Sequence, residues 1–261
     1  MRHSYWLLAA AALLLGACAS NPRKLSAAPD SAAIAAAIGT AARSDADRAE
    51  DAYRLPQAVL EAAHLRPGMR VMDFLPGRGY YTELIARTVG PRGATIAWFP
   101  PEQARFADAI DARLQDGRLP GAQKSTVAPG QFAAQLGPLD AALLVLVYHD
   151  LYLPPRTDGM APPRFATPAE AVAALFGALR PGGIVLVEDH VAAAGADPVL
   201  TAGTLHRIDP AVIRRDFEAG GFVYDGASDA LRNPADDVTK PMFQATVPHM
   251  TDRVLLRFRK P

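Results

Sequence analysis

The chain has 261 residues, half of them apolar, with 27 Lys and Arg against 27 Asp and Glu and a single cysteine. Zero formal charge argues against a nucleic-acid binder, which shows a basic excess or a basic face. One cysteine excludes an internal disulfide, a four-thiolate zinc site and an iron–sulfur cluster, and the composition is that of a globular chain.

Taken in chain order, Arg2 and His3 precede an apolar run from Trp6 to Ala17. That run is too short for a bilayer core, which needs about 20 residues, and has the size of a secretory signal. Residues 19–30 are small, polar and proline-broken, and read as a tether. Residues 31–52 are alanine-rich with charges gathered after Arg43, and read as a helix or a partly ordered extension of the tether. From Tyr53 onward apolar runs alternate with helical patterns, as in an α/β fold with a parallel sheet. The spacing predicts helices over 56–63, 80–89, 102–114, 167–179 and 209–219. Strands are expected over 70–74, 94–99, 140–147, 184–188, 222–224 and 253–258, with a weakly marked one near 124–127.

The cysteine is informative because of where it sits. Leu15-Gly16-Ala17-Cys18 resembles the box that ends a bacterial lipoprotein signal, whose cysteine is acylated and becomes the new N-terminus. The resemblance implies a signal peptide over 1–17, a lipidated tether and N-terminal extension over 18–52, and a folded domain over 53–261. Two or more acyl chains hold a protein stably at a membrane where one does not. Cys18 is then the lipid attachment point, on the periplasmic side of the cell envelope. Ala19 is not the aspartate of inner-membrane retention, so outer-membrane sorting is implied.

The most informative stretch is Asp73-Phe74-Leu75-Pro76-Gly77-Arg78-Gly79-Tyr80-Tyr81-Thr82. A strand ends in an acid, a glycine-containing turn follows, and a helix begins with free N–H groups suited to an anionic ligand group. With Asp140 opening a central strand and Arg180-Pro181-Gly182-Gly183 preceding a later one, the chain resembles class I S-adenosylmethionine-dependent methyltransferases. More narrowly, it is similar to a bacterial group of predicted methyltransferases. The shared pieces are Tyr148-His149-Asp150, Asp189-His190, His206-Arg207-Ile208-Asp209 and Leu231-Arg232-Asn233-Pro234-Ala235-Asp236-Asp237.

The resemblance implies a Rossmann-like sheet of seven strands in the order 3-2-1-4-5-7-6, strand 7 antiparallel, with helices on both faces. It implies S-adenosylmethionine as cofactor and a small-molecule methyl acceptor; the zero net charge argues for no nucleic-acid partner, and protein partners are left open. Carried over by position, Asp73, Leu75, Pro76, Gly77 and Gly79 form the cofactor turn, and Tyr80 and Tyr81 start its helix. Two positions depart from the family pattern. Leu75 replaces the first glycine of the turn, and the second strand ends in Trp98-Phe99-Pro100 without the acid that takes the ribose hydroxyls. Glu102 can substitute for that acid, or Trp98 and Phe99 can stack on the adenine instead.

His149-Asp150 and Asp189-His190 follow strands that the implied topology makes neighbours, about 4.8 Å apart, and His206 lies in the next loop. His149, Asp150, Asp189, His190 and His206 are therefore candidate catalytic residues. A histidine oriented by a carboxylate suits a general base, the same group could hold a divalent metal, and strand-end anchoring is the third reading. With no H-x-x-x-H or H-x-H spacing, no metal is assigned. Segments 151–168 and 228–251 are long enough to be lids or packed surface loops. Because the cofactor is made in the cytoplasm, export leaves two alternatives to methyl transfer. One is a repurposed fold binding another envelope ligand, and the other is a His/Asp hydrolase or lyase.

Overall fold

A seven-stranded sheet forms the centre of the computed structural model of the chain, which describes residues 28–101, 107–153, 166–245 and 250–261. The strands are β1 (Arg70–Phe74), β2 (Ala94–Trp98), β3 (Ala122–Ser125), β4 (Leu139–Val145), β5 (Leu179–His190), β6 (Val223–Ser228) and β7 (Arg253–Arg259). Their order is β3-β2-β1-β4-β5-β7-β6, with β7 antiparallel to β5 and β6 and the other pairs parallel. This is the expected topology. The pairing of β4 and β5 shifts register between Leu139 and Ala141, where Leu179 and then Ile184 are the partners, so 180–183 form an excursion inside one long strand.

Both faces of the sheet are covered, and the strand period of two sorts the core between them. On one face Met72, Phe74, Val185, Val187 and Phe258 pack with Phe132, Leu175 and Phe217. On the other, Val71, Ile184, Leu186 and Leu255 pack with Ile34, Leu60, Leu84 and Ile85. Each fully buried aliphatic or aromatic side chain of this kind contributes about 1.5–3 kcal/mol. The first set backs onto α6 (Phe132–Gln135), α7 (Pro168–Ala178) and α9 (Pro210–Ala219); the second backs onto α1 (Ser31–Gly39), α3 (Pro56–Ala62) and α4 (Tyr80–Val89). Coverage therefore changes face between β1 and β4, which makes their carboxyl ends the topological switch point.

The helices begin where local chemistry dictates. Thr167 and Glu170 form a reciprocal capping box at α7, with Pro168 in the first turn. Asp209 caps α9 and Asp197 caps α8 (Pro198–Leu205), each followed directly by proline. The α8 helix and the short α6 were not expected from the sequence. The helix expected over 102–114 is described as α5, Asp108–Gln115.

The domain starts earlier than residue 53. Ile34 of α1 is fully buried in the core, and α2 (Asp45–Arg54) lies against α4 and α5. What joins α2 to them is charge: Arg113 Nη2 donates to Asp47 Oδ1 at 2.7 Å, Arg118 also pairs with Asp47, and the Tyr80 hydroxyl donates to Asp51 at 2.6 Å. Cys18, the signal expected at 1–17, the tether to residue 27, Glu102 and most of the segment 151–168 lie outside the described residues. Among the described residues no helix is long and apolar enough to cross a membrane.

Candidate functional site

The turn after β1 is built around three left-handed residues. Leu75 has φ 56°, Gly77 φ 54° and Gly79 φ 85°. Glycine adopts that region freely, whereas a leucine there costs about 1–2 kcal/mol. Leu75 is held by donating its N–H to Trp98 O at 2.9 Å, which ties the turn to the end of β2. Gly79 is also closely covered: a Cβ there would sit 2.6 Å from Ile110 Cδ1 of α5, which would have to shift.

Asp73 ends β1 almost wholly buried, and the Thr82 hydroxyl donates to its Oδ2 at 2.6 Å. Burial pushes its carboxyl up to about 7, and the Thr82 hydrogen bond offsets this only in part.

A cavity of about 260 Å³ opens over this turn and the carboxyl end of β4. Asp73, Leu75, Pro76, Gly77, Tyr80 and Tyr81 all line it. Its outer wall was not foreseen: Asp47, Glu50 and Arg54 of α2, with Arg113 of α5. The only sequence signal was Ser44 followed by acids, a helix start in which Ser44 accepts from the Asp47 N–H. Gly79 supports the turn from beneath and does not line the cavity.

The adenine-stacking reading of Phe99 is corrected. Phe99 is 2% exposed and packs with Ala107 and Ile110 in the core under α5. Trp98 is likewise core: its ring lies 4.5 Å from that of Phe74, and its Nε1 donates to Val127 O at 2.8 Å. Among the described residues no acid stands at the end of β2, and Glu102 is outside them.

A second cavity of about 370 Å³ lies beside the first, and Arg54 and Leu146 line both. Leu146, just past β4, is left-handed at φ 59°, so two strained leucines mark the ends of the two strands at the switch point. Tyr53, His190, Met242, Phe243, Ala245, Thr251 and Arg253 also line this cavity, so the 3-10 turn Met242–Gln244 brings part of segment 228–251 to it.

His190 is buried, its Nδ1 lies 2.7 Å from Thr251 Oγ1, and its Nε2 has no hydrogen-bond partner among the described residues. Burial pushes its imidazole down to about 3, overriding the pull of Asp189, so it is neutral.

The other histidine–aspartate residues converge beside this cavity. Asp189, fully buried at the end of β5, accepts from the His149 N–H at 2.9 Å and the His190 N–H at 2.7 Å, and holds His149 Nδ1 at 2.8 Å. Asp150 Oδ1 is 3.3 Å from His149 Nε2. The His206 ring lies 5.5 Å from that of His149 and 6.0 Å from Phe243. Burial lowers the His149 pKa, but the Asp189 charge and hydrogen bond, with Asp150, outweigh it and push it up to about 9. The two acids therefore favour the protonated imidazole over the neutral one.

No family model matches the chain, and no curated protein matches it in sequence. Solved structures match it in shape. A SAM-dependent methyltransferase from Aquifex aeolicus superposes with a TM-score of 0.55 over 82% of this chain and 96% of its own, at 13% identity. The [4+2]-cyclase SpnF superposes with a TM-score of 0.55 over 85% of each chain, at 18% identity. The fold is therefore the Rossmann-like one of class I methyltransferases. One of the two is named for methyl transfer and the other for a cyclisation, so the likeness gives the fold and leaves the reaction to the site.

Proposed function

We propose that this chain is an S-adenosylmethionine-dependent methyltransferase acting on a small molecule. The observation that carries the reading is the pair of adjoining cavities at the switch point, one over the acid–glycine turn and one over His190, with Arg54 and Leu146 between them.

The residues fit the amino-acid end of the cofactor. Tyr80 and Tyr81 open a helix whose first N–H groups suit a carboxylate. The same wall carries Asp73, Asp47 and Glu50 against Arg54, Arg78 and Arg113, a mixture suited to a zwitterion. Asp47 and Glu50 are already paired with arginines, whereas among the described residues Asp73 has the Thr82 hydroxyl and no cation. Asp73 is thus the acid that a cationic ligand would ionise. The cofactor supplies a methyl group made electrophilic by its sulfonium.

The chain's own part is to hold the two ligands in register and exclude water. His190 offers a neutral imidazole to the acceptor, and Arg54 spans both cavities. The size of the second cavity, about 370 Å³, and the balanced charge support a small acceptor over a nucleic acid.

Export and lipid anchoring at Cys18 belong to the same proposal, supported by Leu15-Gly16-Ala17-Cys18. The N-terminal peptide should carry acyl mass on Cys18; an unmodified peptide beginning at Met1 contradicts this part. Cofactor binding is tested by thermal unfolding of the protein with S-adenosylmethionine. Ligand at 100 times Kd stabilises a fold by about 2.7 kcal/mol, so a concentration-dependent rise in Tm is expected. An unchanged Tm at saturating S-adenosylmethionine contradicts the reading.

A further inference from the structure

We propose that His149, Asp150 and His206 form a binding site for one divalent transition-metal ion of the zinc type, beside the second cavity. One ligand atom from each of the three lies within 4.8 Å of the others. A tetrahedral ion with bonds of about 2.0–2.2 Å needs ligand atoms roughly 3.3 Å apart. His149 Nε2 and Asp150 Oδ1 already stand 3.3 Å apart. His206 closes the remaining gap by a side-chain rotation, and its half-buried ring nitrogens have no hydrogen-bond partner among the described residues.

The surroundings are those of a ligand held for use. A metal-bound histidine characteristically gives its other ring nitrogen to a carboxylate, which fixes tautomer and orientation. Asp189 does this for His149 Nδ1 at 2.8 Å, and is itself fixed by two backbone N–H groups. That leaves Nε2, on the Asp150 side, as the coordinating atom, and a metal ion binding there displaces its proton to solvent. A plain ion pair needs only one carboxylate on the imidazole, whereas here the second acid and the second imidazole meet at the free nitrogen. Two imidazoles with one carboxylate suit zinc and its neighbours in preference to calcium or magnesium, which take oxygen ligands.

Three protein ligands leave a coordination position open for water or a substrate group. The His149 and His206 rings lie 6.1 Å from His190 and 6.0 Å from Phe243 respectively, both of which line the second cavity. The site stands without methyl transfer. Its use in activating the acceptor rests on the reading above.

The test is calorimetric titration of the full chain, stripped with a chelator, with Zn²⁺, together with the visible spectrum of added Co²⁺. One equivalent should bind, and His206→Ala and Asp150→Asn should each weaken binding at least about tenfold. Asp189→Asn should weaken it by about 10–100-fold without removing a ligand. His64→Gln, far from the cluster, should bind as wild type. Circular dichroism in chelator identifies any variant that fails to fold, and the Co²⁺ spectrum of wild type then decides alone. The absence of a saturable equivalent, or unchanged affinity in folded His206→Ala and Asp150→Asn, overturns the site. S-adenosylmethionine titrated into the same sample keeps the two readings apart: metal without cofactor removes methyl transfer only, and cofactor without metal removes the site only.

Discussion

His149 Nδ1 and Asp189 Oδ1 stand 2.8 Å apart and join the turn after β4 to the end of β5. Asp189 is fully buried and accepts from two backbone N–H groups as well. Breaking such a pair by removing one charge costs about 3–5 kcal/mol, because the other partner is left buried and uncompensated. Asp189→Asn keeps the shape but turns an N–H₂ toward donors. We expect it to lose about 3 kcal/mol of unfolding free energy in urea denaturation. A loss within experimental error of zero contradicts the pairing.

Asp73 gives a pH dependence whose sign is fixed by its burial. Its carboxyl rises from 3.8 to about 7 in the folded state. Below about pH 4 it is protonated in both states, and its contribution to stability is complete. As pH rises through 7 the folded state must ionise a buried acid, and that contribution is lost. Asp73→Asn removes the loss, so the variant should gain stability relative to wild type between pH 5 and pH 8, while binding S-adenosylmethionine more weakly. Denaturation curves whose difference is flat over this range contradict the assignment.

Leu75 sets strain against packing. Its left-handed backbone favours glycine by about 1–2 kcal/mol, while its partly buried side chain packs against the core. The two terms nearly cancel, so Leu75→Gly should change stability by less than about 1 kcal/mol. Removing the side chain widens the cavity over the turn, and cofactor affinity should rise. A fall in affinity at unchanged stability counts against placing the ligand there.

Arg113 is the anchor of α2. It bridges Asp47 of α2, at 2.7 Å, and Glu83 of α4, at 2.7 Å. Arg118 still pairs with both acids and Arg87 with Glu83, so Arg113→Ala leaves the two acids only partly compensated and should cost about 1–2 kcal/mol. The helix should then be cut faster by trypsin at Arg48 or Arg54. Unchanged cleavage would mean that α2 is held by other contacts.

What could be read from the sequence follows from how local the cause is. The bounds of β1 and α4 are legible because a continuous apolar run, a proline–glycine turn and a helix start are all written within the stretch they shape. β3 is shifted from 124–127 to Ala122–Ser125, because an edge strand reading Ala-Gln-Lys-Ser shows little hydrophobic pattern. The convergence of His149 with Asp189 is legible because adjacent parallel strands deliver their ends side by side. The wall of the first cavity was not. α2 reads Asp-Ala-Asp-Arg-Ala-Glu-Asp-Ala-Tyr-Arg and docks by ion pairs whose partners lie 66 and 71 residues away. Nothing in its own periodicity shows them. Phe99 fails for the same reason: an aromatic at a strand end faces ligand or helix according to where α5 lies, and α5 lies on it.

Calorimetric titration of the full chain with S-adenosylmethionine tests the central claim most directly. One site is expected, displaced by S-adenosylhomocysteine and weakened at least about tenfold, or 1.4 kcal/mol, in Asp73→Ala. No saturable heat at ligand concentrations up to about 1 mM, where binding is worth roughly 4 kcal/mol, would contradict it.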